Sequence, residues 1–272
     1  MRLISLCPSN TEILFALGLG DRLVGVDNSS DWPPHRLNHL PRLGPDLAID
    51  IEQVAALKPD LVIASRSVPG MERVVEGLRQ AGLPHIVLNP QRLADIPTDI
   101  RLVGQATGRT REAEAVAQKF EETVAWYKER AEAAARRWRL YWEWWPKPVH
   151  TPGRRNWLTD MSELVGGENV FADCDTDNVK ADWETVAARN PDVVCVVWCG
   201  VDERRIKPES ITERPGWARL AAVQYGRVYI LPEGQFCRPS PRLLEGLYEL
   251  TRQLRPEWLA DAAPPVTAWP VA

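Results

Sequence analysis

Residues 50–65 read DIEQVAALKPDLVIAS, and residues 182–197 read DWETVAARNPDVVCVV. Eight of the sixteen aligned positions are identical, at a constant offset of 132 residues (182 − 50). Asp50 and Asp182 stand where a helix N-cap belongs, and Gln53 completes an Asp-x-x-Gln capping box in the first copy. Pro59 and Pro191 end the short helix, because proline disfavours a helical residue before it. The apolar, β-branched run after each proline suits a strand buried on both faces. Each copy therefore encodes a helix feeding a parallel strand, and a chain that carries the unit twice is expected to build two equivalent α/β halves.

The surrounding sequence continues the alternation. In the first half RLISL, LVGV and the segment near His85–Leu88 read as strands, while SNTEILFALGLG and the segment near Met71–Ala81 read as helices. The second half offers RLYWEWW and RVYIL as strands, with NWLTDMSELVG and a segment near Pro241–Leu254 as helices. Such alternation predicts mainly parallel sheets covered by helices. Residues 109–145 contain neither Gly nor Pro, and Val116, Phe120, Val124, Tyr127, Ala131, Ala134 and Trp138 recur at spacings of three and four. That stripe predicts one long helix, about 28 residues or roughly 42 Å. The expected architecture is α/β: two Rossmann-like lobes, 1–107 and 139–272 (the latter ending in a Pro/Ala-rich tail), joined by a rigid helix over 108–138.

A net charge of −4 with no basic block argues against a nucleic-acid partner. No apolar run is long enough to span a membrane. No basic and apolar leader precedes the first strand, so either the protein is cytoplasmic or its leader lies outside this numbering. Five cysteines without paired spacing require no disulfide framework. His35 and His39 share an i, i+4 spacing but lack a third ligand, so no metal site is expected. No nucleophile–base–acid set or phosphate loop is visible; Asp31 with His150 is the best available acid–base pair, and the chain does not read as an enzyme.

In open α/β sheets ligands sit beyond the carboxyl ends of the strands, so two lobes imply a cleft between them. Strand-end reasoning selects Pro8, Ser9, Asn10, Ser29, Trp32, Ser65, Arg66, Trp144, Trp145, Trp198, Phe236 and Arg238. This set is apolar and aromatic, as in a pocket for a large organic ligand, and 12 tryptophans supply it generously. Trp144 and Trp145 serve equally well as core. Cys7, Cys199 and Cys237 also fall at strand ends, where buried small hydrophobes are the commoner use of free thiols.

SLCPSNTEILFALGLGDRLVGV, SDWPP and IEQVAALKPDLVIA, followed by LVGGENVF, DWETVAARNPDVV and RPGWARLAAVQYGRVYIL, resemble the substrate-binding proteins of ABC importers for cobalamin, siderophores and haem. The resemblance runs from Arg2 to about Leu254, and CPSNTE with SDWPP most resembles the cobalamin binders. It implies a corrinoid (cobalamin or cobinamide) as transported ligand, no resident cofactor, a permease dimer as partner, and a monomer working in the periplasm or at the cell surface. It further implies that Glu52 and Glu184, one per lobe, dock on transporter arginines, although the helix dipole alone would also favour an acid in each first turn, by about 0.3–1 kcal/mol. Pro8, Trp32, Trp144, Trp198 and Arg238 match ligand-contact positions. Ser29 and Ser65 stand where a close relative has Tyr and Trp, and Trp145 is an added aromatic, which shifts the stacking surface toward the second lobe. Alternatives are a haem or ferric-siderophore binder, or a bilobal tetrapyrrole-handling enzyme.

Overall fold

The first half of the chain forms a parallel sheet of β1 (Leu3–Ser5), β2 (Leu23–Val26), β3 (Leu61–Ser65) and β4 (His85–Leu88), ordered β2-β1-β3-β4. Helices α1 (Pro8–Ala16), α2 (Ile51–Ala56), α3 (Glu72–Gln80) and α4 (Asp95–Thr107) connect and cover it. After α5 (Thr110–Glu132) come β5 (Trp138–Glu143), β6 (Trp145–Pro146), β7 (Val149–Pro152), α6 (Trp157–Leu164), β8 (Gly167–Asn169), β9 (Asn178–Ala181), α7 (Trp183–Ala188) and β10 (Val193–Val196). The chain closes with α8 (Glu209–Thr212), α9 (Ala221–Gln224), β11 (Val228–Ile230), α10 (Leu243–Leu254) and α11 (Pro256–Asp261). The second parallel sheet is ordered β11-β10-β5-β8, and β6-β7-β9 form a small antiparallel sheet beside it. This computed structural model describes residues 1–269; residues 270–272, the end of the expected tail, lie outside the described residues.

The repeated phrase builds the same unit in both lobes. Asp50 Oδ1 accepts from the Gln53 N–H at 3.0 Å, and Asp182 Oδ1 from the Thr185 N–H at 2.7 Å. Gln53 does not return a bond to the Asp50 backbone as a capping box would; its side-chain amide donates to the Asp50 carboxylate at 2.9 Å. The residues before the two prolines, Lys58 (φ 48°) and Asn190 (φ 44°), turn left-handed, so each helix stops in one residue. The aspartates after the prolines then fix the neighbouring strand: Asp60 accepts from the Arg2 N–H at 2.6 Å, and Asp192 from the Arg139 N–H at 3.1 Å.

The connecting helix is shorter than its stripe predicts. It ends at Glu132, and Trp138 opens β5 instead. Arg255 explains the stop: its guanidinium binds the carbonyls of Arg136, Val165 and Gly166, while the Trp138 N–H donates to Gly166. Tertiary pairing thus overrides the helix propensity of the alanines. Phe120 and Tyr127 of α5 lie in one apolar cluster with Ile100 and Val103 of the first lobe and Leu158 and Leu247 of the second. That shared core makes α5 a strut buried against both lobes, which resists large relative motion.

RLYWEWW is likewise not one strand. β5 ends at Glu143, Trp144 turns the chain, and Trp145 enters the antiparallel sheet opposite His150.

Candidate functional site

A cleft of about 520 Å³ opens between the lobes. Ser29, Asp31 and Trp32 of the loop after β2 form one wall; Gly200–Arg204 after β10, Gln235 and Arg238 after β11, and Arg242 form the other. Of the twelve ligand candidates, Ser29, Trp32 and Arg238 line this cavity. Trp32 is held edge-on to Phe15 at 6.3 Å, with the Arg242 guanidinium over its ring at 4.6 Å. Its orientation is therefore fixed by contacts from both lobes.

Trp145 and Trp198 form a second aromatic surface, with ring centroids 6.3 Å apart, and Trp145 is 45% exposed. Trp198 is fixed by its indole N–H, which donates to Glu143 Oε1 at 2.9 Å. Glu143 is fully buried and also accepts from Tyr141 at 2.7 Å and, through both oxygens, from Arg214 at 2.5 and 2.7 Å. Arg214 in turn stacks between Trp183 and Trp217, at 4.6 and 4.5 Å. A contiguous chain of contacts thus runs from Trp198 to Trp183, the residue beside Glu184.

Other ligand candidates lie outside this cavity. Phe236 is fully buried against Trp142, and its carbonyl accepts from the Trp157 indole, so it packs the core rather than the cleft. Ser9 and Asn10 are buried in the first turn of α1; Asn10 Nδ2 donates to the Ile63 carbonyl. Ser65 is buried and bonds to Ser67, Pro8 is half-buried at the start of α1, and Arg66 is exposed. Trp144 packs half-buried against the main core. Asp31 and His150 do not pair: Asp31 meets Arg238, and His150 bonds to Asn178. His35 and His39 are exposed on turns rather than on a helix. Among the described residues no group of three metal-ligating side chains occurs.

Apart from Arg238 and Asp31, the charged floor of the cleft escapes sequence reasoning. Glu12 of α1 is 1% exposed and receives Arg242 at 2.9 Å, Arg238 at 3.3 Å and the Ser240 hydroxyl, all from the second lobe. Burial pushes the Glu12 carboxyl upward, against the pull of Arg242 and Arg238. Arg238 also binds Asp31 at 2.5 Å and Glu233 at 2.8 Å, while Arg242 binds Glu245 at 3.2 Å. The signals for this cluster are an acid inside the apolar run TEILFALGLG and an arginine four residues after Arg238.

A larger cavity of about 780 Å³ lies between α4, α5 and α6, crossed by the ion pair of Arg92 with Asp160. None of the twelve candidates lines it. Glu52 and Glu184 are exposed in the first turns of α2 and α7, equivalent positions of the two lobes.

The sequence pattern of the family described as periplasmic binding protein matches residues 3–234. The chain belongs to that family. A Bacillus subtilis relative, an uncharacterised ABC transporter substrate-binding lipoprotein, is 30% identical over 94% of this chain and 80% of its own. The periplasmic vitamin B12-binding protein BtuF of Vibrio cholerae superposes with a TM-score of 0.77 at 29% identity, covering 93% of this chain and 96% of that one. The periplasmic haem-binding protein RhuT of Roseiflexus sp. RS-1 gives 0.81 at 28% identity, covering 94% and 98%. The family's role is transport binding rather than catalysis. No helix among the described residues is long and apolar enough to cross a membrane.

Proposed function

We propose that this periplasmic binding protein captures a corrinoid, cobalamin or cobinamide, between its lobes and delivers it to the permease dimer of an ABC importer. The observation that carries the ligand class is the charge balance of the cleft floor. Arg238 and Arg242 are already engaged by four carboxylates, Glu12, Asp31, Glu233 and Glu245. Arg204 is paired with Asp202. An anionic siderophore or the propionates of haem would have to compete for cations that are already neutralised. A corrinoid presents neutral amides and a broad apolar edge, which suit Trp32 in the cleft and, outside the cavity itself, the aromatic surface of Trp145 and Trp198.

Haem is the second reading, favoured by the likeness to RhuT. Haem iron takes an axial His, Tyr, Met or Cys. The residues lining the cleft include no His, Tyr, Met or Cys, Cys199 and Cys237 standing at its edge, whereas a cobalamin brings its own axial base. We place the protein's work outside the cytoplasmic membrane, as a monomer, with Glu52 and Glu184 as its docking points.

Native mass spectrometry against a panel of cyanocobalamin, cobinamide, haem and a ferric siderophore tests the assignment. One corrinoid per chain is expected. Retention of haem alone, or of nothing at micromolar protein, overturns it.

A further inference from the structure

Cys199 and Cys237 stand side by side at the edge of the cleft, with sulfurs 3.5 Å apart. Both are free; Cys199 is exposed and Cys237 half-buried. Their backbones are fixed independently. The Cys199 N–H donates to the Trp144 carbonyl at 3.2 Å, and the Cys237 N–H to the Glu233 carbonyl at 2.8 Å. The Cys237 thiol points at the Val197 carbonyl, 3.4 Å away. The two thiols therefore meet because the loops after β10 and β11 hold them there. A disulfide needs sulfurs about 2.05 Å apart, so roughly 1.5 Å of side-chain rotation separates the pair from a bond. The remaining thiols have other surroundings: Cys7 and Cys195 are buried, and Cys174 sits beside Asp173 and Arg189.

We propose that Cys199 and Cys237 form a reversible dithiol–disulfide site that reacts with small-molecule disulfides such as oxidised glutathione. The exposed Cys199 thiolate attacks one sulfur of the incoming disulfide, forming a mixed disulfide and releasing the first glutathione thiolate. Cys237 then attacks the Cys199 sulfur, closing the internal bond and releasing the second. Two protein thiols are oxidised, one disulfide is reduced to two thiols, and the two protons pass to the leaving thiolates. The hydrogen bond from Cys199, and then burial, push the Cys237 thiol upward, which makes Cys237 the resolving partner and closure faster at higher pH. The bond ties the loop bearing Gly200 and Val201 to the residue preceding Arg238, so oxidation joins two segments of the same cleft wall. This holds whichever ligand the cleft takes.

The test treats the fully reduced, full-length protein with oxidised glutathione and follows intact mass and tryptic peptides. The expected product is lighter by two hydrogens, contains a linked Cys199–Cys237 peptide, reverts with dithiothreitol and melts several degrees higher than the reduced form. Cys237→Ser is expected to accumulate glutathione on Cys199, and Cys199→Ser to take up none at position 237. A stable mixed disulfide on Cys199 of the wild-type protein, or linkage to another cysteine, overturns the proposal, as does the absence of any reaction.

Discussion

Asp31 of the first lobe and Arg238 of the second meet across the mouth of the cleft at 2.5 Å, although they stand 207 positions apart in the sequence. The Asp31 side chain is 68% exposed, whereas Arg238 is only 10% exposed and reaches the buried Glu12 behind it. Exposed ion pairs contribute about 0–1 kcal/mol, while removing one member of a buried network costs about 3–5 kcal/mol. Asp31→Asn is therefore expected to lower stability by less than about 1 kcal/mol, and Glu12→Ala by several times more. Calorimetry on both variants checks the order; equal losses contradict it.

The mouth bridge has a definite pH sign. Burial pushes the Asp31 carboxyl up, but the hydrogen bond and charge of Arg238 outweigh it and hold the group below its ordinary range. A depressed folded-state value contributes stability above the unfolded aspartate value of about 3.9 and loses it as pH falls through the folded one. The difference between wild type and Asp31→Asn should thus be present at neutral pH and vanish in acid. A difference that grows on acidification contradicts the assignment.

Asp99 in α4 carries the opposite sign. It is 8% exposed, and its Oδ2 has no hydrogen-bond partner among the described residues. Burial, with a smaller contribution from Asp95, pushes its carboxyl up to about 7. Its favourable contribution is fully present below about pH 3.9 and is lost as pH rises through about 7. Asp99→Asn is expected to remove that decline and to be more stable than wild type at pH 8, by about 1–3 kcal/mol. At about 2–4 °C per kcal/mol, melting curves across pH resolve the effect.

Local features were legible in the sequence, and remote ones were not. The helix caps, the proline stops and the β-branched strands of the two copies depend on neighbours within a few residues. The role of Asp60 and Asp192 depends on Arg2 and Arg139, more distant in sequence, and the early end of α5 depends on Arg255. At the site, strand ends led to Trp32 and Arg238 because topology alone exposes them. The same rule selected Phe236, whose ring the Trp142 contact turns inward. Glu12 and Arg242 escaped because each looks ordinary on its own helix; their pairing across the lobes gives them meaning.

Arg214 is expected to be the most sensitive position of the second lobe outside its apolar core. Arg214→Met leaves Glu143 fully buried with a charge and without its cation, a loss of about 3–5 kcal/mol. It also frees Trp198, whose indole relies on the same carboxylate. Trp198→Phe removes one neutral donor from Glu143 and is expected to cost only about 1–2 kcal/mol. Denaturant midpoints of the two variants rank them, and a Trp198→Phe loss as large as that of Arg214→Met contradicts the reading.

Glu52 and Glu184 close the question that the repeated phrase raises. The aspartates of the phrase cap helices and fix strands, the prolines stop helices, and the valines fill cores. The glutamates do none of this: both are exposed, and among the described residues neither is in an ion pair. An acid in a first turn gains about 0.3–1 kcal/mol from the helix dipole, so Glu52→Ala with Glu184→Ala should cost little stability. If the pair docks on transporter arginines, each truncation removes a charge-assisted contact worth about 2–5 kcal/mol. The double variant is then expected to keep corrinoid affinity within about twofold while its complex with the permease weakens by on the order of 30-fold or more, taking the lower figure for one contact alone. Pull-down of liganded protein by the reconstituted transporter measures this directly. Undiminished capture of the double variant would leave the dipole as the sole reason for both glutamates.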